Sequence, residues 1–427
     1  VVHIHSLEGY GRDLIGAIKA SGRAVVVTPH NYWYVCPQVD LLHQEQRVCM
    51  DYDGGRRCVG CLPAAPPGKM MRKRRVGQTL ERLMGTYGAD VIRKAIYGVK
   101  PAAKSVLKGK LPRPEAAPKL NPDWLIDPEL AHGFAYTDPL PQHPASPASP
   151  APHHLGEMVH DLTVKDKEKP KPFDAAAPDA NERILANRDR HLVVINEYGR
   201  RRAAGAAALN AADLVIPPSD FLRKLHVSMG VDEARTRWVR LGQPHFDQIN
   251  RRARRSPYYD ARPWDPATAT RPLRFGFFGT TRSNKGVEVL AAAIPLLSRD
   301  VRRRCHITIR AHGWEWPLRK RLARFPEVTV YGGYDLYQLI GAAGEYDVGL
   351  LPHIWLENSP LVMLEHLHAG KFMIASRLGG PADWISEGKN GMLFTAGRPD
   401  ELAACIARLV NGEVQIPSPR EVHEASV

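Results

Sequence analysis

Glu357 and Glu365 bracket the stretch Glu-Asn-Ser-Pro-Leu-Val-Met-Leu-Glu. Chance produces such a pair in many proteins, so ordinary acids at a helix boundary are the alternative interpretation. The surroundings favour a site, because residues 347–352 have the composition of a buried strand and residues 361–369 that of a helix. Glu357 then follows the carboxyl end of a parallel strand, and Glu365 lies about a turn and a half into the helix. In open α/β sheets this edge is where nucleotides bind.

The predicted helix has recognisable boundaries. Ser359 fits the N-cap, Pro360 fits the first helical position and Gly370 fits the end of the helix. The N–H groups of a first helical turn are free to bind an anion. We therefore expect a negatively charged ligand beside Glu357.

A second segment with this chemistry is Gly279-Thr-Thr-Arg-Ser-Asn-Lys-Gly286. It ends an apolar strand at 273–279 and leads into a helix from Lys285. Backbone N–H groups together with the ammonium of Lys285 suit phosphate oxygens. The alternative for Lys285 is a solvated residue at a helix start.

Histidines follow the first strands of the chain. His30 stands in Thr28-Pro-His-Asn31, directly after the apolar strand at 24–28, and His3 and His5 lie in the opening strand. A histidine at a strand end can face a cleft, but it can equally be a hydrogen-bonded loop residue. His3 and His5 fit a structural role as well as a functional one.

Four of the six cysteines cluster, namely Cys36, Cys49, Cys58 and Cys61. The Cys-x2-Cys pair at 58–61 and the two further thiols could supply four ligands to a tetrahedral structural zinc ion, which would leave no open position for chemistry. The alternative is a set of reduced loop cysteines. The two remaining cysteines, at 305 and 405, fit small buried apolar residues.

Composition limits the class of protein. The chain has 427 residues, 44% of them hydrophobic, and a formal net charge of +14. It contains no run of 18 apolar residues, which excludes a transmembrane helix, and no signal-peptide pattern. Residues 69–113 contain 13 Lys and Arg against two acids, Glu81 and Asp90. Such a basic segment implies an anionic partner.

The basic segment also has apolar residues at helical spacing. It could lie on an anionic membrane surface, or it could be a helix packed on the first domain with a solvated basic side. Residues 112–182 are rich in Pro, Ala and charge, which predicts a linker without a core.

The order of elements predicts an α/β fold. Residues 1–35 read as strand, helix and strand, and residues 239–244 read as the strand and exit of the first domain. Strands alternate with helices from 273 to 410, including a helix at 336–343 and a strand at 372–376, which indicates a parallel doubly wound sheet. We divide the chain into a first domain (1–61 and 183–245), an insertion (62–182), a linker (246–271), a second domain (272–412) and a tail (413–427).

A family resemblance follows from motifs of the second domain. They resemble the donor site of retaining family 4 (group 1) glycosyltransferases. The motifs are Leu351-Pro352, Glu357, Glu365, Gly370, Gly379-Gly380 and Asn390-Gly391. The resemblance implies a GT-B fold, in which two Rossmann-like domains face a cleft. It also suggests an N-terminally incomplete first domain, because the sequence opens inside a strand.

The resemblance also implies roles for individual residues. Glu357 would face the donor sugar, Glu365 the ribose hydroxyls, and His30 the sugar from the first domain. The remaining donor-binding positions are Lys285, Arg282, Gly279, Thr280, Ser359, Leu361 and Val362. Two positions depart from the family pattern: Asn31 replaces an aspartate, and Thr280 replaces an arginine for which Arg282 could substitute.

The resulting expectation is a retaining hexosyl-type transferase that needs no cofactor for its chemistry. Its partners would be a nucleotide-diphosphate sugar and a polysaccharide, oligosaccharide or lipid-linked acceptor, with no nucleic acid. It would be cytoplasmic and peripheral on the inner membrane face. The alternative from another class is a non-catalytic, zinc-stapled basic protein that binds nucleic acid or an anionic polymer. Binding that collapses with salt would distinguish this alternative.

Overall fold

The computed structural model describes residues 1–7, 10–43, 47–61, 180–313, 316–334 and 342–426. The predicted basic segment at 69–113 and the linker up to residue 179 lie outside the described residues, as does most of a helix predicted at 336–343. The end of the predicted insertion is helical, because the helix Ala180–Ala186 contains its last three residues.

The first sheet has three parallel strands in the order β1 (Val2–Ile4), β2 (Val25–Val27) and β5 (Leu214–Val215). Val25 and Val27 are fully buried, and β-branched residues suit a strand that is covered on both faces. The helix Asp13–Ala20 connects β1 to β2. A short antiparallel ladder pairs β3 (Leu42–His43) with β4 (Arg47–Val48).

In the described part of the chain, helices accompany this sheet. The longest begins after Asn196, whose side chain accepts hydrogen bonds from the backbone N–H groups of Tyr198 and Gly199. Besides Asp13–Ala20 and Ala180–Ala186, the helices of this half are Arg56–Cys61, Arg188–His191, Glu197–Asn210 and Asp220–Ser228.

The second sheet has six parallel strands in the order β11-β10-β9-β6-β7-β8. The strands are β6 (Leu273–Thr280), β7 (Cys305–His312), β8 (Val328–Gly332), β9 (Val348–Leu351), β10 (Phe372–Ser376) and β11 (Gly391–Phe394). Every residue of β9 and β10 is buried, as expected for central strands of a parallel sheet. The α/β class and the two parallel sheets of the predicted GT-B arrangement are confirmed.

Helices also accompany this sheet. They are Pro244–Arg255, Val287–Ala293, Arg299–Arg303, Trp316–Leu322, Leu361–His368, Pro399–Val410 and Pro419–Ser426. Pro244–Arg255 lies where we expected a linker, and it buries Phe246, Ile249 and Ala253. Its three apolar residues recur at helical spacing, so its core-facing stripe follows from the sequence.

One predicted strand does not form. Residues 239–244 contain no strand in the structure, and Val239 is half exposed. Just before and at the start of this segment, Thr236 forms a bridge with Val215, and the Arg237 and Val239 N–H groups donate to the Val215 and Pro217 carbonyls. None of the described strands pairs with residues 239–244, so this prediction was wrong.

The loops that follow β2 and β9 are joined directly. The Tyr32 hydroxyl donates to the Leu356 carbonyl at 3.0 Å, and Leu356 and Leu378 belong to the core of the first sheet. The Asn181 side chain bonds both the N–H and the carbonyl of Gly379. Within the described ranges, no helix is long and apolar enough to cross a membrane.

Candidate functional site

The loops after β6 and β9 meet at the carboxyl edge of the second sheet. The strands are neighbours in that sheet, so topology brings their ends together. β6 leads into a 3-10 turn at Ser283–Lys285, and Gly286 follows with φ +76°. A Cβ at Gly286 would overlap the Pro352 carbonyl oxygen. The Ile354 N–H donates to the Asn284 carbonyl at 3.0 Å, so the two loops are clamped to each other.

Lys285 and Glu357 form an ion pair at this edge. Glu357 is 5% exposed, whereas the Lys285 side chain is about one-third exposed. The ammonium also lies 5.1 Å from the centroid of the Trp355 ring. The Glu357 carbonyl accepts from the Gly380 N–H at 2.7 Å, which fixes the backbone of the glutamate. The pair therefore presents a positioned cation at the solvent side of a buried carboxylate.

Buried polar atoms without a hydrogen-bond partner among the described residues lie on these same two loops. They are Thr280 Oγ1, Asn284 Oδ1, Trp355 Nε1, Asn358 Oδ1 and Ser359 Oγ. Proteins rarely leave such atoms unsatisfied. Other unpartnered atoms lie elsewhere in the described structure, but these five share the two loops that hold the ion pair, where a polar ligand could bond to them.

Glu365 is buried and lies one turn into the helix Leu361–His368, where it faces His245 rather than Lys285. Its carboxylate oxygen is 3.1 Å from His245 Nε2. Burial raises the pKa of Glu365, and the hydrogen bond from His245 opposes that rise. His245 was not among the site residues predicted from the sequence. The apolar spacing after Pro244 was the signal that could have placed it at a helix start.

His30 is joined to the Glu357 loop through its backbone. The Asn358 side-chain amide donates to the His30 carbonyl at 2.7 Å. The His30 ring stacks on His5, with 3.0 Å between Nε2 and the His5 Nδ1, and His3 is 2.8 Å from the Thr28 hydroxyl. Burial lowers the pKa of His30, and the neighbouring His5 and His3 lower it further.

The remaining predicted positions differ in placement. Ser359 is not the N-cap, because the Pro360 carbonyl accepts the first helical hydrogen bonds and the Ser359 hydroxyl makes none within the described structure. Arg282 is exposed. Leu361 is 43% exposed at the start of its helix, and Val362 is half-buried. Gly279 and Thr280, at the end of β6, are half-buried too.

The predicted zinc site does not form. All four clustered cysteines are free thiols, and in the part of the chain that the structure describes no three His, Cys, Asp or Glu residues could hold a metal ion. The Cys61 thiol instead donates to Gln38 Oε1 at 2.6 Å. Burial raises the pKa of Cys36 and of Cys49 to about 11 and that of Cys58 to about 12. Cys305 and Cys405 are buried, as expected.

Comparison with known protein families finds a match in the second domain. Residues 272–412 match the family model described as glycosyl transferases group 1. No curated protein matches the sequence.

Several solved structures match at low similarity. HepE of Anabaena in complex with UDP and glucose is 16% identical over 53% of this chain and 61% of that one, with a TM-score of 0.40. The lipopolysaccharide outer core galactosyltransferase WaaB is 18% identical over 54% and 60%, with a TM-score of 0.42. Sucrose-phosphate synthase from Thermosynechococcus elongatus is 20% identical over 53% and 55%, with a TM-score of 0.39. The matches span 55% to 61% of the length of those chains.

Proposed function

We propose that this chain, whose residues 272–412 match the family model described as glycosyl transferases group 1, transfers a hexosyl group from a nucleotide-diphosphate sugar to a polysaccharide or glycolipid acceptor with retention at the anomeric carbon. The observation that carries the proposal is the contact between Lys285 and Glu357. Two side chains 72 residues apart meet at the sheet edge where parallel α/β sheets bind nucleotides.

Lys285 would bind the leaving diphosphate. Its ammonium is held by one carboxylate, so a diphosphate group at the same edge would offer it a greater opposing charge. A positioned cation stabilises charge that develops on a leaving group in the transition state. Gly279 and Thr280 lie at the end of the adjacent strand, and Arg282 adds a solvent-facing cation to the same loop.

Glu357 and Glu365 would contact the two sugars of the donor. Once Lys285 engages phosphate, the buried carboxylate of Glu357 is free to accept hydrogen bonds from hydroxyls of the transferred sugar. Glu365 would take the ribose hydroxyls, with His245 fixing the orientation of its carboxylate. The Ser359 hydroxyl and the N–H groups of Leu361 and Val362 complete the set at the helix start.

Retention with a departing phosphate requires no side-chain nucleophile. The phosphate would take the acceptor proton on the face from which it leaves, and the acceptor oxygen would then bond to the anomeric carbon on that same face. His30 is proposed to face the transferred sugar from the first domain, since its loop is bonded to that of Glu357. The first domain (1–61 and 183–245) would bind the acceptor, and attachment to an anionic membrane surface would bring a lipid-linked acceptor within reach.

The test is donor binding and hydrolysis across a panel of UDP- and GDP-sugars. Lys285→Ala and Glu365→Ala should each reduce kcat/KM at least a hundredfold, since one such contact contributes about 3 kcal/mol in the transition state. Lys389→Ala is the matched control, because Lys389 is exposed on a loop of the same domain. Near-normal turnover in both site variants would refute the assignment.

A further inference from the structure

A cavity of about 70 Å³ lies at the amino ends of the central strands of the second sheet. Its lining includes Tyr258, Arg262, Arg271, Arg274, Asp347 and Lys371. Asp347 precedes β9 and Lys371 precedes β10, whereas Lys285 and Glu357 follow the carboxyl ends of β6 and β9. The cavity is therefore at the opposite edge of the sheet from the proposed donor site.

The charges around this cavity do not balance. Asp347 is already engaged by Arg271 at 2.6 and 2.9 Å and by Arg274 at 3.0 Å. Although burial acts to raise it, these hydrogen bonds lower the pKa of Asp347, so the group is a carboxylate. Four basic side chains thus face one acid, and within the described residues neither Arg262 nor Lys371 has an ion pair.

Lys371 is the informative member of the set. It is 3% exposed, its Nζ donates to the Tyr346 carbonyl at 3.0 Å, and it lies 3.7 Å from the centroid of the Tyr258 ring. A buried ammonium without a counter-charge is costly. Burial lowers the pKa of Lys371 to about 7; Asp347 opposes the change, while Arg274 and Arg271 add to it. An anion in the cavity would restore the charged form.

Size restricts the anion. A buried water molecule needs roughly 10–15 Å³ of cavity volume. The cavity of 70 Å³ therefore has room for about five water molecules. A tetrahedral oxyanion, with five heavy atoms, fits this space, and arginine and lysine are the side chains that bind it.

We propose that this cavity binds a small tetrahedral oxyanion, either free phosphate or sulfate or the phosphate group of a monoester, between Lys371 and Arg262. The bound anion would lie next to the end of the helix that carries Glu365. The Lys371 N–H donates to the His366 carbonyl at 2.9 Å, and the Tyr258 hydroxyl donates to the Ala369 carbonyl at 3.0 Å. Lys371 and Tyr258, which both line the cavity, are thus bonded to the end of that helix.

The experiment is calorimetric titration of the full chain with sodium sulfate at pH 8, in buffers of different ionisation enthalpy. Sulfate does not titrate at this pH, so proton uptake on binding reports on the protein. Around Lys371, burial lowers the pKa of His366 to about 3, burial raises the pKa values of Tyr258 and Tyr346, and Asp347 is paired with Arg271 and Arg274. We expect sulfate to bind with proton uptake and sodium chloride at equal ionic strength to give neither signal.

Three variants locate the site. Lys371→Met should abolish proton uptake and weaken sulfate binding at least tenfold. Arg262→Gln, on the exposed wall, should weaken binding while proton uptake per bound sulfate persists, and it serves as the test if Lys371→Met does not fold. Lys285→Gln should leave the proton uptake unchanged, which separates this cavity from the donor site and keeps the result independent of the proposed transferase activity.

Two outcomes overturn the proposal. One is wild-type protein that binds sulfate no better than chloride, and the other is sulfate binding that Lys285→Gln abolishes and Arg262→Gln does not. Comparison of inorganic phosphate with glycerol phosphate then assigns the source of the anion. Tighter binding of the ester indicates an organic phosphate, and tighter binding of the inorganic ion indicates the free anion.

Discussion

Gly286→Ala tests the clamp between the two loops of the site. Gly286 has φ +76°, and a Cβ there would overlap the Pro352 carbonyl oxygen. An alanine in the left-handed region costs about 1–2 kcal/mol. Relief of an overlap in a packed region costs about 1–3 kcal/mol more. The expected loss in the free energy of unfolding is therefore about 2–5 kcal/mol, the sum of these two costs.

Gly388→Ala is the matched control. Gly388 has φ +74°, but a Cβ there would meet nothing within 4 Å. This variant should lose only the backbone cost of about 1–2 kcal/mol. The difference between the two variants isolates the contact between the loops after β6 and β9.

Urea unfolding measures the free energy of unfolding of both variants, and UDP titration measures their affinity for UDP. Gly286→Ala should also bind UDP more weakly, because the shifted loop carries Trp355 and Glu357, whereas Gly388→Ala should bind UDP normally. Equal losses of stability in the two variants, or unchanged UDP affinity in Gly286→Ala, would refute the clamp.

Three further predictions concern titratable groups and their neighbours. Burial raises the pKa of Glu365, so the folded state favours the protonated acid and the wild-type free energy of unfolding should decline as pH rises through that folded pKa. Urea midpoints measured from pH 4.5 to 8 should show this decline in the wild type and not in Glu365→Gln. His245→Phe should raise KM for the donor more than it lowers kcat, because it removes the hydrogen bond that orients Glu365 but touches no reacting atom; an unchanged KM would contradict that positioning role. Burial lowers the pKa of His226 to about 4 and that of His366 to about 3, so folding stability should fall as pH drops from the unfolded value near 6.5 through those folded values. A flat urea midpoint between pH 7 and 4 would show that these imidazoles do not oppose protonation.

The second sheet was predictable because its strands are short, apolar and separated by helices. The predicted strand at residues 372–376 matches β10, and the strand at 347–352 contains β9. Parallel topology then places Lys285 and Glu357 at one edge, even though they are far apart in the sequence. The meeting of this pair follows from strand order rather than from any local signal.

Local sequence patterns did not predict the role of residues whose contacts come from distant parts of the chain. His245 stands directly before the stretch that we predicted as a linker, and its partner Glu365 is 120 residues away. Ser359 is a residue type that is common at N-caps, but Pro360 is the N-cap of this helix and its carbonyl accepts the first helical hydrogen bonds. The spacing of the four cysteines resembles a zinc site, whereas no three metal-ligating side chains of the described residues are grouped to hold a metal ion. Spacing along the chain does not specify distances in the fold.

The bonds between the Gly379 backbone and Asn181, and the place of Leu356 and Leu378 in the core of the first sheet, have a consequence for protein engineering. A fragment cut at residue 272 would contain the whole six-stranded sheet, yet it would expose both leucines and lose the Tyr32 and Asn181 bonds. Chimeras that exchange the 272–412 segment between related chains should therefore carry residues 30–32 and 180–186 together with it. A crossover that separates them would break these hydrogen bonds and lower the free energy of unfolding.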